Sequence, residues 1–158
     1  MGTRSLTRVF NTYKNEKNNK QVKVQLVNMY RQYDGYPSGH GTELADFLKS
    51  GKVVNGIGST NETERLFNGA GCLAAQMISH FKDGAGGFYI EPITAKNCGQ
   101  EYEYEVIVDF DTKEVTLKCF ENGYINSKGK YSKGKKLLFE GNPNDFEQFL
   151  LKFEEIFE

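Results

Sequence analysis

Glu101-Tyr102-Glu103-Tyr104-Glu105-Val106-Ile107-Val108-Asp109-Phe110 is the stretch that decides the fold. Tyr102, Tyr104, Val106, Val108 and Phe110 alternate with Glu101, Glu103, Glu105 and Asp109, so a strand here has one buried and one wet face. Asp111-Thr112-Lys113 supplies a turn, and Val115, Leu117 and Cys119 alternate again beyond it. The two runs read as a hairpin, the start of an antiparallel sheet.

Working outward, Asn142-Pro143 signals the start of a C-terminal helix. Phe146, Phe149, Leu150, Phe153 and Phe157 form its apolar stripe. The short run Phe88 to Glu91 reads as a strand stopped by Pro92. Before it, Leu73, Met77, Ile78 and Phe81 mark a helix that follows Gly69-Ala70-Gly71 and ends at Asp83-Gly84-Ala85-Gly86-Gly87. A first strand is expected over residues 3–10, with Leu6 and Phe10 on one face and Thr7 and Val9 on the other. The polar stretch Asn15 to Gln21 suits a hairpin loop. A second strand starts at Val22, with Val22, Val24 and Leu26 on one face and Val27 and Met29 on the other. A helix over Gly41 to Lys49 carries Leu44, Phe47 and Leu48, with Gly51 as its stop and a loop over Lys52 to Asn61. The pattern predicts one α+β domain over residues 1–158. About three helices pack on one face of a mainly antiparallel sheet of about five or six strands.

At 158 residues the chain is long enough to bury a core without disulfides or metal. The 12 Phe and 9 Tyr supply much of that core. A net charge of −1 gives no global attraction to nucleic acid or to an acidic membrane. Cys72, Cys98 and Cys119 are sparse and odd in number, which suits reduced thiols in the cytosol and offers no zinc spacing. No apolar run reaches the length of a membrane span, and Leu6 stands where a myristoylation signal needs Ser or Thr. Nothing calls for a cofactor.

Tyr30-Arg31-Gln32-Tyr33-Asp34-Gly35-Tyr36-Pro37-Ser38-Gly39-His40-Gly41 joins the second strand to the first helix. Charge, aromatic faces and a glycine-rich helix start suit ligand holding better than mere chain reversal. Arg31 suits phosphate or carboxylate, and Tyr33 and Tyr36 offer stacking faces. Arg4 could join from the neighbouring strand. His40 and Asp34 could form an acid–base pair; no obvious nucleophile accompanies them, and Cys98 is a possible thiol partner with no sequence sign of a depressed pKa. His80, beside Phe81, reads as a surface or core histidine. Gly69, Gly71 and Ala74 have dinucleotide-fingerprint spacing, but they follow a polar loop and fail that motif's context. The run Lys128, Lys130, Lys133, Lys135 and Lys136 could contact phosphates, though such a run is more often a solvated loop, and sequence-specific nucleic-acid binding is not expected.

The opening Met1-Gly2-Thr3-Arg4-Ser5, with Tyr30 to Pro37 and Gly39-His40-Gly41, resembles a family of small phage and bacterial proteins. That family opens Met-Gly-Thr-Arg-Ser and carries an aromatic-Asp-Gly-Tyr-Pro segment before a helix. Its members often have Trp where this chain has Tyr33. The resemblance brings no catalytic residues. It implies a phage or prophage setting, where accessory proteins often act against host defences, and it draws attention to Arg4, Asp34, Tyr36 and His40.

These readings predict a site made by Arg4, Arg31, Tyr33, Asp34, Tyr36, His40 and Gly41. Its expected ligand is small, anionic and nucleotide-like, sequestered in the host cytosol without chemical change. An enzyme using His40 and Asp34, a module binding a host protein, and homo-oligomer formation stay open.

Overall fold

The alternating stretch occupies the middle of a six-stranded sheet in the computed structural model, which describes residues 2–56, 65–125, 128 and 131–157. Strand β1 (Ser5–Lys14) turns through the polar loop into antiparallel β2 (Gln21–Arg31). Asn19 adopts φ +56° in that loop, a conformation Asn tolerates. Two short strands, β3 (Gly51–Val54) and β4 (Arg65–Asn68), make a separate parallel pair. They are followed by β5 (Phe88–Glu91), β6 (Tyr102–Asp109), β7 (Val115–Ile125) and β8 (Tyr131–Gly141). The main sheet runs β5-β2-β1-β6-β7-β8 and is antiparallel except where β6 lies parallel to β1.

Register explains the core. Val9 lies beside Val27 and Val106, and Thr7 beside Met29 and Tyr104. Leu117 and Cys119 continue this face from β7. Three helices cover it: α1 (Thr42–Lys49), α2 (Gly69–Phe81) and α3 (Phe146–Phe157). Leu44, Phe47, Leu73, Met77, Phe146 and Leu150 join the strand residues in one buried cluster. Each fully buried Leu or Phe contributes about 1.5–3 kcal/mol, so this face carries most of the stability. Asn142 opens the turn before α3 by accepting the Asn144 N–H at 2.9 Å. The chain is thus a single α+β domain, with helices on one face of a mainly antiparallel sheet.

Several expectations change. The first strand begins and ends later than residues 3–10, and Ser5 through Val9 are buried on both faces. Residues 51–54 pair with 65–68 instead of forming a loop, because Val53 and Phe67 bury against the helices. A strand therefore does precede Gly69. Lys135 and Lys136 sit on edge strand β8, where lysines discourage pairing with another chain. The wet face of β6 is partly dry, since Glu103 is buried. Conversely Phe110, expected inside, is exposed beyond the end of β6. The expected loop over 57–61, Lys130, and the side chains of Lys133 and Phe157 lie outside the described residues. No helix among the described residues is long and apolar enough to cross a membrane.

Candidate functional site

Arg31 is the last residue of β2 and stands beside Ser5, on the helix-covered face. Beyond it the chain turns at Asp34, whose φ is +59°. Gly35 then pins the loop to the sheet: its N–H donates to Thr3 O at 2.9 Å, and its carbonyl accepts from Tyr104 Oη at 2.7 Å. A Cβ on Gly35 would stand 2.7 Å from Ser5 Cβ, and one on Gly39 would stand 2.5 Å from Asp34 O. These glycines permit close backbone approach, which explains much of the loop's composition. Pro37–Gly41 forms a π-helical turn leading directly into α1.

That turn drives His40 inside, where it is fully buried. Its ring meets Phe81 and Tyr104 edge-on, with centroids 5.0 and 5.2 Å away. Thr7 Oγ1 lies 2.9 Å from Nε2, and Arg31 Nη1 lies 2.9 Å from Nδ1. A guanidinium only donates, so Nδ1 accepts from Arg31 and the ring proton sits on Nε2, donating to Thr7. Burial, reinforced by the Arg31 charge, lowers the His40 pKa from 6.5 to about 3. The imidazole is neutral, with both nitrogens engaged.

Arg31 is held from several sides. Its Nε donates to Tyr33 O at 2.6 Å, its Nη1 also donates to Glu43, and its guanidinium lies 5.1 Å from the Phe88 ring centre. Glu43, in the first turn of α1, is 52% exposed in its side chain. The cation is inside and its carboxylate partner stands at the surface.

The sequence-predicted residues separate into three groups. Arg31 and His40 meet directly, and Gly41 packs beside them against Phe146. Tyr33, Asp34 and Tyr36 lie on the outside of the loop, Tyr33 being 53% exposed and Tyr36 39%. The Asp34 carboxylate accepts from Tyr36 Oη at 3.4 Å, so the partners of the His40 ring are Thr7 and Arg31 rather than Asp34. Arg4 does not join them. It begins the face opposite the helices, pairs with Glu101 at 3.5 Å and lies over Gly99. Cys98 is no activated thiol: burial, then Glu91, pushes its pKa up. His80 is exposed and packs edge-on against Phe81.

Thr7, Glu43 and Tyr104 complete this assembly, and none was singled out as a site residue. Thr7 carries the one usable signal, a polar residue beside Val9 on the inward face of β1. Ser5 Oγ, also buried, has no hydrogen-bond partner among the described residues. The N-terminal segment and the Tyr30–Gly41 loop meet here, through Gly35 on Thr3 and Ser5 and through Gly2 against the Tyr33 ring. Among the described residues no group of three or more His, Cys, Asp or Glu is placed to hold a metal ion. No family model, curated protein or solved structure matches the chain.

Proposed function

We propose that the chain is a phage-type binding protein that captures a small anionic, nucleotide-like ligand and holds it unchanged. One observation carries this reading. A cavity of about 210 Å³ opens between α2 and β5, lined by Met29, Ile78, Lys82, Phe88, Tyr89 and Ile90. Five of the six are apolar or aromatic, and the sixth is a cation. A flat ring fits such walls, and a negative group fits the lysine at the rim. Lys82 Nζ donates to Gly86 O at 2.9 Å and Phe88 O at 2.8 Å, which leaves its third proton for a ligand. Phe88 belongs to both places, since its ring also lies under Arg31. Capture without chemistry is supported by His40, which is sealed and has neither nitrogen free for a substrate proton. In a host cytosol such capture would remove a defence signal.

Calorimetric titration with a panel of linear and cyclic nucleotides tests this. The expected result is saturable, stoichiometric binding, with intact ligand recovered after denaturation. Ile78→Trp, which fills the cavity, should weaken binding by about tenfold or more. Turnover by catalytic amounts of protein, lost in His40→Ala, would replace sequestration with the enzyme reading. A second reading draws on the exposed Tyr89 and Ile90 at the same cavity, with Ile90 64% exposed. A host protein retained through that surface, with no nucleotide bound, would favour an interaction module.

A further inference from the structure

The face of the sheet that the helices leave bare carries a second, differently built cleft. Side chains alternate along a strand, so Arg8 and Glu103 point away from Thr7 and Tyr104. Residues 92–101 lie across this face. Asn28 Nδ2 donates to Pro92 O and Ala95 O at 3.2 and 3.1 Å, and Arg8 Nη2 donates to Ala95 O at 3.4 Å. Beneath them Arg8 and Glu103 form an ion pair with both side chains more than nine-tenths buried. Asn122 Nδ2 donates to the other Glu103 oxygen. Burial works against the Glu103 charge, but the hydrogen bond and charge of Arg8 outweigh it, with help from Asn122 and Lys135. Its carboxyl is thereby held below the usual range.

A cavity of about 450 Å³ reaches the Glu103 side of this pair, lined by Lys96, Asn97, Gln100, Glu103, Asn122 and Lys135. One wall is fixed: the buried Gln100 donates to Lys96 O at 2.9 Å and accepts the Cys98 N–H at 2.7 Å. Lys135 is loosely shared, 3.7 Å from Glu103 and 3.6 Å from Glu105. Glu105 also has Lys23 at 3.5 Å, and Glu103 has Arg8. Around the cavity Arg8, Lys96 and Lys135 stand with Glu103 and Glu105, and Glu91 acts on Cys98 from β5. Of the charged side chains that line the open space, Lys96 and Lys135 are cations and Glu103, already paired with Arg8, is the one carboxylate.

We infer that this cleft is a binding site for a small oxyanion-bearing molecule, a phosphate ester or a carboxylate. Lys96 and Lys135 hold the oxyanion, and Asn97 and Asn122 bond its polar remainder. Lys135 leaves its two long carboxylate contacts to do so. Glu103 sets the floor, paired with Arg8 behind it. The site lies on the opposite face from His40 and stands independently of the cavity beside Phe88.

Amide chemical-shift titration of the isotope-labelled protein at low salt tests it, with inorganic phosphate and succinate as separate probes. The expected result is saturable shifts at residues 96–100, 122–123 and 135 with at least one probe. Response to phosphate alone assigns a phosphoryl group, and an equal response to succinate assigns a carboxylate. Lys135→Gln and Lys96→Gln, each with an otherwise unchanged spectrum, should weaken binding by about tenfold, the scale of a charged hydrogen bond. Lys17→Gln, on the distant hairpin loop, should leave binding unchanged. No saturation below about 10 mM with either probe, or wild-type affinity in both cleft variants, overturns the assignment.

Discussion

Arg31 and Arg8 leave neighbouring strands on opposite faces of one sheet, and each is nearly buried beside a glutamate. The difference lies in the other partners. Arg31 is anchored by a neutral histidine and a backbone carbonyl, and its glutamate stands half in water. Arg8 is anchored by a carboxylate that is itself buried and further held by Asn122. One arrangement closes over its histidine beneath a helix start; the other leaves an open polar cleft on the Glu103 side of its ion pair. A buried cation is thus accommodated either by neutral acceptors or by a matching charge. Only the second buries both charges of the pair.

The largest expected effect breaks the second arrangement. Arg8→Ala leaves Glu103 charged and desolvated, and should cost about 3–5 kcal/mol in urea unfolding. Replacing the pair together, Arg8→Met with Glu103→Leu, should recover most of that loss, because no lone buried charge remains. A loss below about 1 kcal/mol for Arg8→Ala would show that water already solvates the pair.

A pH series sharpens the comparison next. His40 has its folded pKa lowered to about 3 from 6.5, so between those values the unfolded chain binds the extra proton. Its contribution is complete above 6.5 and is lost as pH falls, by up to about 1.4 kcal/mol per pH unit. Glu103 also has a lowered folded pKa, but its contribution is complete above its ordinary 4.5 and is lost only below that. Of these two groups, His40 alone acts between pH 6.5 and 4.5. Unfolding free energies measured at several pH values in that window should fall with acid in the wild type and flatten in His40→Gln. An unchanged slope in the variant would remove the titration from His40.

The smallest effect belongs to the exposed end of the first arrangement. Glu43→Gln should change stability by no more than about 1 kcal/mol in urea unfolding, since the carboxylate is half in water. A larger loss would mean that Arg31 depends on Glu43 as Arg8 depends on Glu103.

Much of the fold was legible because it rests on periodicity. Tyr104, Val106 and Val108 alternate toward the core, and Phe146, Phe149 and Leu150 repeat at helical spacing. The loop from Tyr30 to Gly41 was legible as unusual, and Arg31 and His40 do meet within it. Its glycines read equally well as a phosphate cradle or as close backbone contacts, because both require a missing side chain. Strand β8 was hidden because lysines on an edge strand have the composition of a loop.

The sequence by itself determined which residues share a face, because strand and helix periods fix side-chain direction before any partner is present. Only the tertiary structure decided what covers each face. Glu103 and Glu105 alternate like solvent-facing residues, yet the segment 92–101, without periodicity of its own, crosses above and buries Glu103 against Arg8. Arg4 shares that face and so is carried away from Arg31. His40 lies near a helix start that looks open in sequence, and Phe81 and Tyr104 close it from distant elements. Burial depends on contacts between residues far apart in the chain, and local pattern does not encode them.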